Sequence, residues 1–273
     1  FRRVILQHCC KIYDFIYFPD SSDIEEKILC RYPQFYGALN LFLNIEKNLK
    51  PNGSGKGGTY FGATGCGKSH TMLFLSRLIM KNKSLGSPTI IFITDRTDLD
   101  DQLSKLFENS KNFLLDENVL SVESRYDLKE KLQNRKSGGI FLTTIQKFSE
   151  DIGLLTNRNN IIVIADEAHR SQLNLEQKIE PRNEGLKTTY GFAKYLRDSL
   201  PNATYVGFTG TPLDETINIF GPIVETYTMT DSVNDKITVP LIREDRAAKV
   251  WSDHKKIIEI EKYYQESIND GAN

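Results

Sequence analysis

A glycine-rich loop that ends in a lysine and a serine offers the clearest chemistry in the sequence. Residues 62–69 fit the pattern G-x-x-x-x-G-K-[ST] and follow the strand-like run 58–61. Glycine has no Cβ and adopts positive φ, so the backbone N–H groups of such a loop can curl around phosphate oxygens. The pattern predicts a nucleotide phosphate site, and a glycine-rich turn that fits by chance is the alternative.

The residues after the last glycine add a charge and a metal ligand. Lys68 can place its ammonium beside the β- and γ-phosphates. Ser69 can give a hydroxyl oxygen to Mg²⁺ at the start of a helix, where anions are favoured. The residues of this stretch expected to contact ATP are Gly62, Ala63, Thr64, Gly65, Cys66, Gly67, Lys68, Ser69 and His70.

A pair of acidic residues follows another buried strand. Asp166 and Glu167 come directly after the apolar run 161–165. Charges in such a place are costly unless they meet a cation or accept a proton. We expect Asp166 to hold Mg²⁺ and Glu167 to orient and deprotonate the attacking water. His169 is either a hydrogen-bonded histidine at a helix start or a residue that couples the site to its surroundings.

Polar groups also lie at the ends of three more predicted strands, where binding residues of open α/β sheets collect. These strands are residues 89–94, 140–148 and 203–208, and the third is predicted to be the last of the sheet. The polar residues are Arg96 and Thr97, Thr144 and Gln146, and Thr209 and Thr211. For Arg96 and Thr97, capping and solvation of a helix start is the alternative.

The elements that must position these residues alternate between strands and helices. Together with one phosphate loop, this alternation predicts an α/β fold of the P-loop NTPase class, with a parallel sheet covered by helices on both faces. The 273 residues are 39% hydrophobic and 26% charged, which is ordinary for a globular protein. A net charge of -1 leaves room only for a local basic patch toward nucleic acid.

No apolar run approaches the length of a membrane span, and the N-terminus shows no signal peptide, so we expect a cytoplasmic protein without membrane contact. The cysteines, Cys9, Cys10, Cys30 and Cys66, lack zinc-ligand spacing and are interpreted as free thiols. Gln34 lies near the start of a predicted helix and could bond an adenine edge, whereas a surface glutamine is the alternative. Residues 51–58 are interpreted as a turn-rich loop.

As a set, these motifs resemble superfamily 2 helicase-like motors, and more narrowly the motor subunit of type I restriction-modification enzymes. The segments that carry the resemblance are 62–69, 94–103, 143–148, 166–172, 207–213, 226–228 and 239–241. The resemblance implies a RecA-like ATPase that translocates double-stranded DNA before a separate nuclease domain cuts it. It also implies methyltransferase and specificity subunits as partners.

The resemblance implies a role for each matching residue. Gln34 would bind adenine, Lys68 and Ser69 the phosphates and Mg²⁺, and Asp166 with Glu167 would form the hydrolytic pair. Segments that touch the DNA backbone would include Arg96, Thr97, Thr144 and Gln146, while Thr209 and Thr211 would link the ATP state to the grip on DNA.

Such a motor also needs a second RecA-like domain, which supplies an arginine to the γ-phosphate, and a nuclease domain. We expect residues 1–45 to be a flanking segment with the adenine-side helix, 46–235 the first RecA-like domain, and 236–273 a linker toward the second. A fragment of this kind should bind ATP but hydrolyse it weakly. The alternatives are a DEAH-box RNA or DNA helicase core and a non-catalytic, nucleotide-dependent binding module.

Overall fold

The structure is a computed structural model that describes most of the chain. It describes residues 14–20, 27–95, 97–116, 119–122, 124–133, 135, 137–148, 153–169, 178–182, 185–189, 192–240, 256 and 258–262. The strands are β1 (Ile16–Tyr17), β2 (Ile28–Leu29), β3 (Lys56–Gly62), β4 (Thr89–Thr94), β5 (Val119–Ser121), β6 (Ile140–Thr144), β7 (Ile161–Ala165), β8 (Lys178–Arg182), β9 (Gly185–Thr189), β10 (Thr204–Thr209) and β11 (Ile223–Tyr227). The helices are α1 (Tyr32–Asn48), α2 (Lys68–Lys81), α3 (Thr97–Glu108), α4 (Lys111–Leu114), α5 (Arg125–Gln133), α6 (Phe192–Ser199), α7 (Asp214–Phe220) and α8 (Met229–Asn234).

Seven strands form one parallel sheet in the order β11-β3-β10-β7-β4-β6-β5. Its register places Thr209 opposite Phe61 and Thr94 opposite Thr144. Ala165 lies opposite residues of both of its neighbouring strands, β10 and β4. The carboxyl ends of β3, β10, β7, β4 and β6 therefore meet along one edge of the sheet, where most of the predicted site residues that the structure describes lie.

Alternate residues of the central strands point to opposite faces, and helices cover both faces. In β4, Ile90 and Phe92 belong to a core that includes buried residues of α1 and α2. Ile91 and Ile93 belong to a second core with residues of α5, α6 and α7. This period of two, with both sets fully buried, explains why β4 is a continuous apolar run. The predicted fold class is confirmed.

Three local predictions need correction. The strand predicted over 140–148 ends at Thr144, and Ile145–Phe148 is a 3-10 turn whose buried ends are spaced by three residues. The run 203–208 is not the last strand, because β11 adds to the sheet beside β3. The loop predicted over 51–58 ends earlier, since β3 begins at Lys56.

Two antiparallel pairs, β1 with β2 and β8 with β9, lie outside the main sheet. The chain divides into two compact units, Phe1–Thr238 and Val239–Asn273, and every strand and helix named above lies in the first. In the second unit, the described residues 256 and 258–262 are helical and exposed. Among the described helices, none combines the length and apolarity needed to cross a membrane.

Candidate nucleotide site

The predicted phosphate loop connects the end of β3 to the start of α2. Gly65 has φ of 80° and Gly67 has φ of 91°, both in the left-handed region that glycine tolerates. A Cβ on Gly67 would lie 2.5 Å from Gln34 Nε2, so a side chain has no room at this position. Helix α2 begins immediately at Lys68, which leaves its first N–H groups at the mouth of the loop.

Gln34 lies against the loop, a contact that the sequence does not predict. Its Nε2 donates to Gly67 O at 3.4 Å, and its Oε1 accepts from the backbone N–H of Arg31 at 2.8 Å. The side chain is 7% exposed, and Pro33 beside it forms part of the first turn of α1. The glutamine therefore joins the start of α1 to the loop instead of standing on the surface.

An open pocket of about 350 Å³ lies beside Gln34. Its lining includes Ile28, Leu29 and Arg31 on the side of the chain before α1, and Gly65, Gly67 and His70 from the loop and α2. Burial and the charge of Arg31 lower the pKa of His70, which favours its neutral form. The sequence analysis missed the three residues before α1, because Arg31 next to the helix start was the only signal and β2 is too short for an apolar pattern.

Lys68 points back over the loop toward the acidic pair. Its Nζ lies 3.4 Å from Gly62 O and 3.7 Å from Glu167 Oε1, and its side chain is 10% exposed. A Cβ on Gly210 would lie 3.8 Å from the same Nζ, so the segment after β10 borders the lysine too. Both polar distances are long, which leaves the ammonium able to bond a phosphate.

The acidic pair stands in a turn directly after β7. Asp166 Oδ1 accepts from the backbone N–H of Glu167 at 2.9 Å. Burial, followed by the charge of Glu167, raises the pKa of Asp166, while Lys68 acts in the opposite direction. A hard divalent cation would remove this penalty, and the Asp166 carboxylate with the Ser69 hydroxyl is an oxygen donor set that suits Mg²⁺. The residues present therefore fit the predicted metal.

Glu167 has φ of 45°, which is unusual for a residue with a side chain. Its Oε2 lies 3.5 Å from His169 Nδ1. The backbone N–H of Ala168 donates to Phe208 O at 2.8 Å, so β10 holds the turn that presents the glutamate. A Cβ on Gly207 would lie 3.2 Å from that of Ala168.

His169 and Thr209 bring β7 and β10 together at the edge. The His169 Nδ1 lies 2.8 Å from Thr209 Oγ1, and that oxygen also accepts from the backbone N–H of Thr211 at 3.1 Å. A continuous path thus runs from Glu167 through His169 and Thr209 to the segment after β10. The hydrogen bond to Thr209 agrees with both interpretations of His169, as a coupling residue and as a hydrogen-bonded histidine after the strand.

The remaining predicted residues lie farther along the same edge. Thr144 is buried at the end of β6, and Gln146 Nε2 donates to Asp95 O at 2.7 Å, which ties β6 to the segment after β4. Helix α3 begins at Thr97, whose side chain lies outside the described atoms. Arg96 and the cysteines Cys9 and Cys10 lie outside the described residues, while Cys30 and Cys66 are free and buried.

A parallel sheet with a glycine-rich phosphate loop at the end of one strand and an acidic pair two strands away defines a RecA-like P-loop NTPase. A family profile described as SWI2/SNF2 ATPase matches residues 33–272. The chain belongs to this ATPase family.

Curated relatives narrow the resemblance. The chain is 39% identical over 235 residues to the type I restriction enzyme HindI endonuclease subunit of Haemophilus influenzae, covering 83% of this chain and 22% of the relative. It is 29% identical to the type I restriction enzyme SsaAORF53P endonuclease subunit of Staphylococcus saprophyticus, covering 63% and 18%. The chain thus spans about a fifth of the length of these relatives. The predicted resemblance to type I restriction enzymes is confirmed.

A solved structure shows the same fold at lower sequence similarity. The ATP-dependent Type ISP restriction-modification enzyme LlaBIII bound to DNA aligns with a TM-score of 0.50 and 16% identity, covering 81% of this chain and 17% of that one. This likeness supports the helicase-like fold of the described sheet.

Proposed function

We propose that this chain is the ATP-binding first lobe of a type I restriction enzyme motor that drives translocation of double-stranded DNA before cleavage elsewhere. The observation that carries the proposal is the short distance, 3.7 Å, between Lys68 Nζ and Glu167 Oε1. These residues follow the carboxyl ends of β3 and β7, which lie on either side of β10 in the sheet. This pair is what phosphoryl transfer from ATP to water needs, namely a cation for the phosphates and a base for the water. The membership in an ATPase family and the restriction-enzyme relatives support it.

Each side chain has a distinct part in this proposal. The loop from Gly62 to Ser69 holds the phosphates through backbone N–H groups, while Lys68 neutralises the terminal ones. Ser69 and Asp166 would hold Mg²⁺, which would supply positive charge that offsets the charge of the phosphates. Glu167 leaves its long contact with the lysine and accepts a proton from the attacking water. Gln34, beside the pocket before α1, binds and orients the adenine of ATP.

The DNA side of the proposal uses the other strand ends. We assign contacts with the DNA backbone to four residues at the ends of β4 and β6, which the bond from Gln146 to Asp95 O holds side by side. These residues are Arg96, Thr97, Thr144 and Gln146. The path from Glu167 through His169 and Thr209 to Thr211 would report the nucleotide to that side. Methyltransferase and specificity subunits as partners, the domain boundaries at 45 and 235, and the cytoplasmic location stay predictions.

Hydrolysis by a motor of this class is completed by an arginine from a second RecA-like lobe. Such an arginine accelerates phosphoryl transfer by about 10³–10⁵-fold. We therefore expect this lobe to bind Mg·ATP and to turn it over slowly by itself, and to bind DNA weakly because affinity depends steeply on the number of phosphate contacts.

Calorimetric titration with Mg·ATP tests the site directly. The comparison is between the unmodified chain, Lys68→Ala and a matched control, Lys83→Ala, which changes an exposed lysine in the turn after α2. We expect binding to be lost in Lys68→Ala and kept in the control. Absence of binding by the unmodified chain, or equal binding by all three, would contradict the nucleotide site.

Two further assays separate the alternative functions in the full-length enzyme. A strand-separation assay distinguishes a duplex translocase, which leaves the strands paired, from a DEAH-box helicase, which releases a single strand. Loss of ATPase activity in Glu167→Gln distinguishes either motor from a non-catalytic binding module, because such a module needs no base.

A further inference from the structure

Contacts hold the phosphate loop from two sides. On one side, Gln34 Nε2 donates to Gly67 O at the end of the loop. On the other side, Ile237 packs against Ala63 and Cys66 in a small apolar cluster. The loop thus lies between the start of α1 and a segment that is far away in sequence.

A tyrosine and an aspartate join these two sides. Tyr32, two residues before Gln34, donates its hydroxyl to Asp235 Oδ2 at 2.5 Å, and Asp235 stands two residues before Ile237. Tyr227, at the end of β11, donates to the same oxygen at 2.8 Å. The bond to Asp235 raises the pKa of Tyr32 to about 12, so the phenol keeps the proton it donates. These contacts connect α1 to Asp235, the segment of Asp235 to the phosphate loop, and the loop back to α1 through Gln34. We call them the Asp235 contact network.

The segment that Asp235 holds, residues 228–238, is well defined internally; we call it the docked segment. Thr228 Oγ1 accepts from the backbone N–H of Asp231 at the start of α8. The backbone N–H groups of Ile237 and Thr238 donate to Ser232 O at 2.9 and 3.3 Å. The methyl group of Thr238 lies 3.6 Å from where a Cβ on Gly65 would stand. The last residues of the first unit therefore rest on the loop itself.

We propose that Asp235 is a positioning residue for the phosphate loop, and that a bound nucleotide in turn fixes the docked segment in place. The proposal rests on the proposed function, because it requires nucleotide at the loop. If the docked segment favours the loop conformation that receives phosphate, nucleotide must favour docking by the same free energy. Nucleotide occupancy is thereby passed to Thr238, the point where the chain leaves the first unit.

The proposal predicts coupled changes in binding and in hydrogen exchange. Tyr32 is 41% exposed, so Tyr32→Phe breaks the Asp235 contact network with little loss of packing. Tyr36→Phe is the matched control, since Tyr36 lies on the same helix and its hydroxyl bonds no described residue. Removal of this exposed hydrogen bond should weaken Mg·ATP binding by about three- to tenfold, the range of an ordinary net hydrogen bond.

Calorimetry and hydrogen-exchange mass spectrometry, with and without saturating Mg·ATP, provide the readouts. In the unmodified chain and in Tyr36→Phe, nucleotide should slow exchange in the loop and throughout 228–238. In Tyr32→Phe at equal saturation, the loop should still be protected while 228–238 exchanges as without nucleotide. A merely structural role for Tyr32 would shift the melting temperature and leave this pattern intact.

Variants of the acceptor provide an independent check. Asp235→Ala should reproduce the loss with a larger drop in affinity, and Asp235→Asn should restore most of it, because the amide oxygen still accepts both phenols. Unchanged Mg·ATP affinity and persistent protection of 228–238 in both Tyr32→Phe and Asp235→Ala would overturn the positioning role of Asp235 and leave the nucleotide site standing. Failure of the unmodified chain to bind Mg·ATP would instead overturn both the proposed function and the positioning role of Asp235.

Discussion

The backbone of Glu167 makes a prediction that separates stability from catalysis. Its φ of 45° is a left-handed conformation in which a Cβ costs about 1 kcal/mol relative to glycine. The carboxylate recovers little of this, because it lies 3.7 Å from Lys68 Nζ and 3.5 Å from His169 Nδ1, and its side chain is 22% exposed. Both separations exceed the roughly 2.7–3.2 Å of an N–H···O hydrogen bond.

Glu167→Ala and Glu167→Gly lose the same carboxylate contacts and differ only in what the backbone tolerates. We expect the free energy of unfolding of the glycine variant to be about 1 kcal/mol higher than that of the alanine variant. This difference corresponds to a Tm about 2–4 °C higher. Both should lower the ATPase rate of the full-length enzyme by about 10²–10⁴-fold, the contribution of a general base.

Urea unfolding of this chain and steady-state phosphate release by the full-length enzyme measure the two quantities. Glu167→Gln, which keeps the Cβ and the side-chain size, is the control for shape. The reasoning fails if the alanine variant is as stable as the glycine variant, since the strain would then be absent. It also fails if either variant hydrolyses ATP at the normal rate.

Three further predictions concern the same edge of the sheet. Burial and Glu167 raise the pKa of Asp166 above 3.8, so the folded chain binds this proton more tightly than the unfolded chain. The contribution of Asp166 to the stability of the nucleotide-free chain should fall as pH rises from 3.8 through the raised pKa, so urea unfolding across pH should show the stability of the unmodified chain falling relative to that of Asp166→Asn. Gly67→Ala would place a Cβ 2.5 Å from Gln34 Nε2 at φ of 91°, and calorimetry should show at least about tenfold weaker Mg·ATP binding. Thr209→Val removes a buried hydroxyl that lies 2.8 Å from an imidazole nitrogen, and should cost about 1–3 kcal/mol in urea unfolding and reduce DNA stimulation of the full-length ATPase.

The sequence predicts those parts of the site that depend on local pattern. The phosphate loop needs glycine at fixed positions, and the acidic pair follows a continuous apolar strand, so both are visible without a structure. The parallel register then brings their ends to one edge, as the pairing of Phe61 with Thr209 shows. Gln34 could be placed near a helix start, but only the fold shows that it bonds Gly67 O.

Other parts are invisible in the sequence for physical reasons. Strand β11 lies at the edge of the sheet and has mostly exposed or half-buried residues, so it lacks the apolar run of the central strands. Residues 145–148 follow β6 directly and have apolar residues at both ends, Ile145 and Phe148, and composition alone cannot tell a strand from a 3-10 turn there. The contact of Ile237 with Ala63 joins residues far apart in the chain, and no local pattern signals it.

Several of the places where this chain departs from good folding lie at its proposed site, while others, among them the left-handed Leu115 and the buried Thr204 hydroxyl that bonds no described residue, lie elsewhere. Glu167 is strained, Asp166 is an acid whose burial favours its neutral form, and the buried hydroxyls of Thr94 and Thr143 have no hydrogen-bond partner among the described residues. All four lie at or next to the carboxyl ends of β4, β6 and β7, whereas the strand interiors below them are buried and apolar. Strain and unsatisfied polar groups persist where the surrounding structure holds them, and here two apolar cores, one on each face of the sheet, do so. If ligands are what these groups await, Mg·ATP should raise the Tm of the unmodified chain by more than it raises that of Asp166→Asn, because only the carboxylate gains a cation on binding.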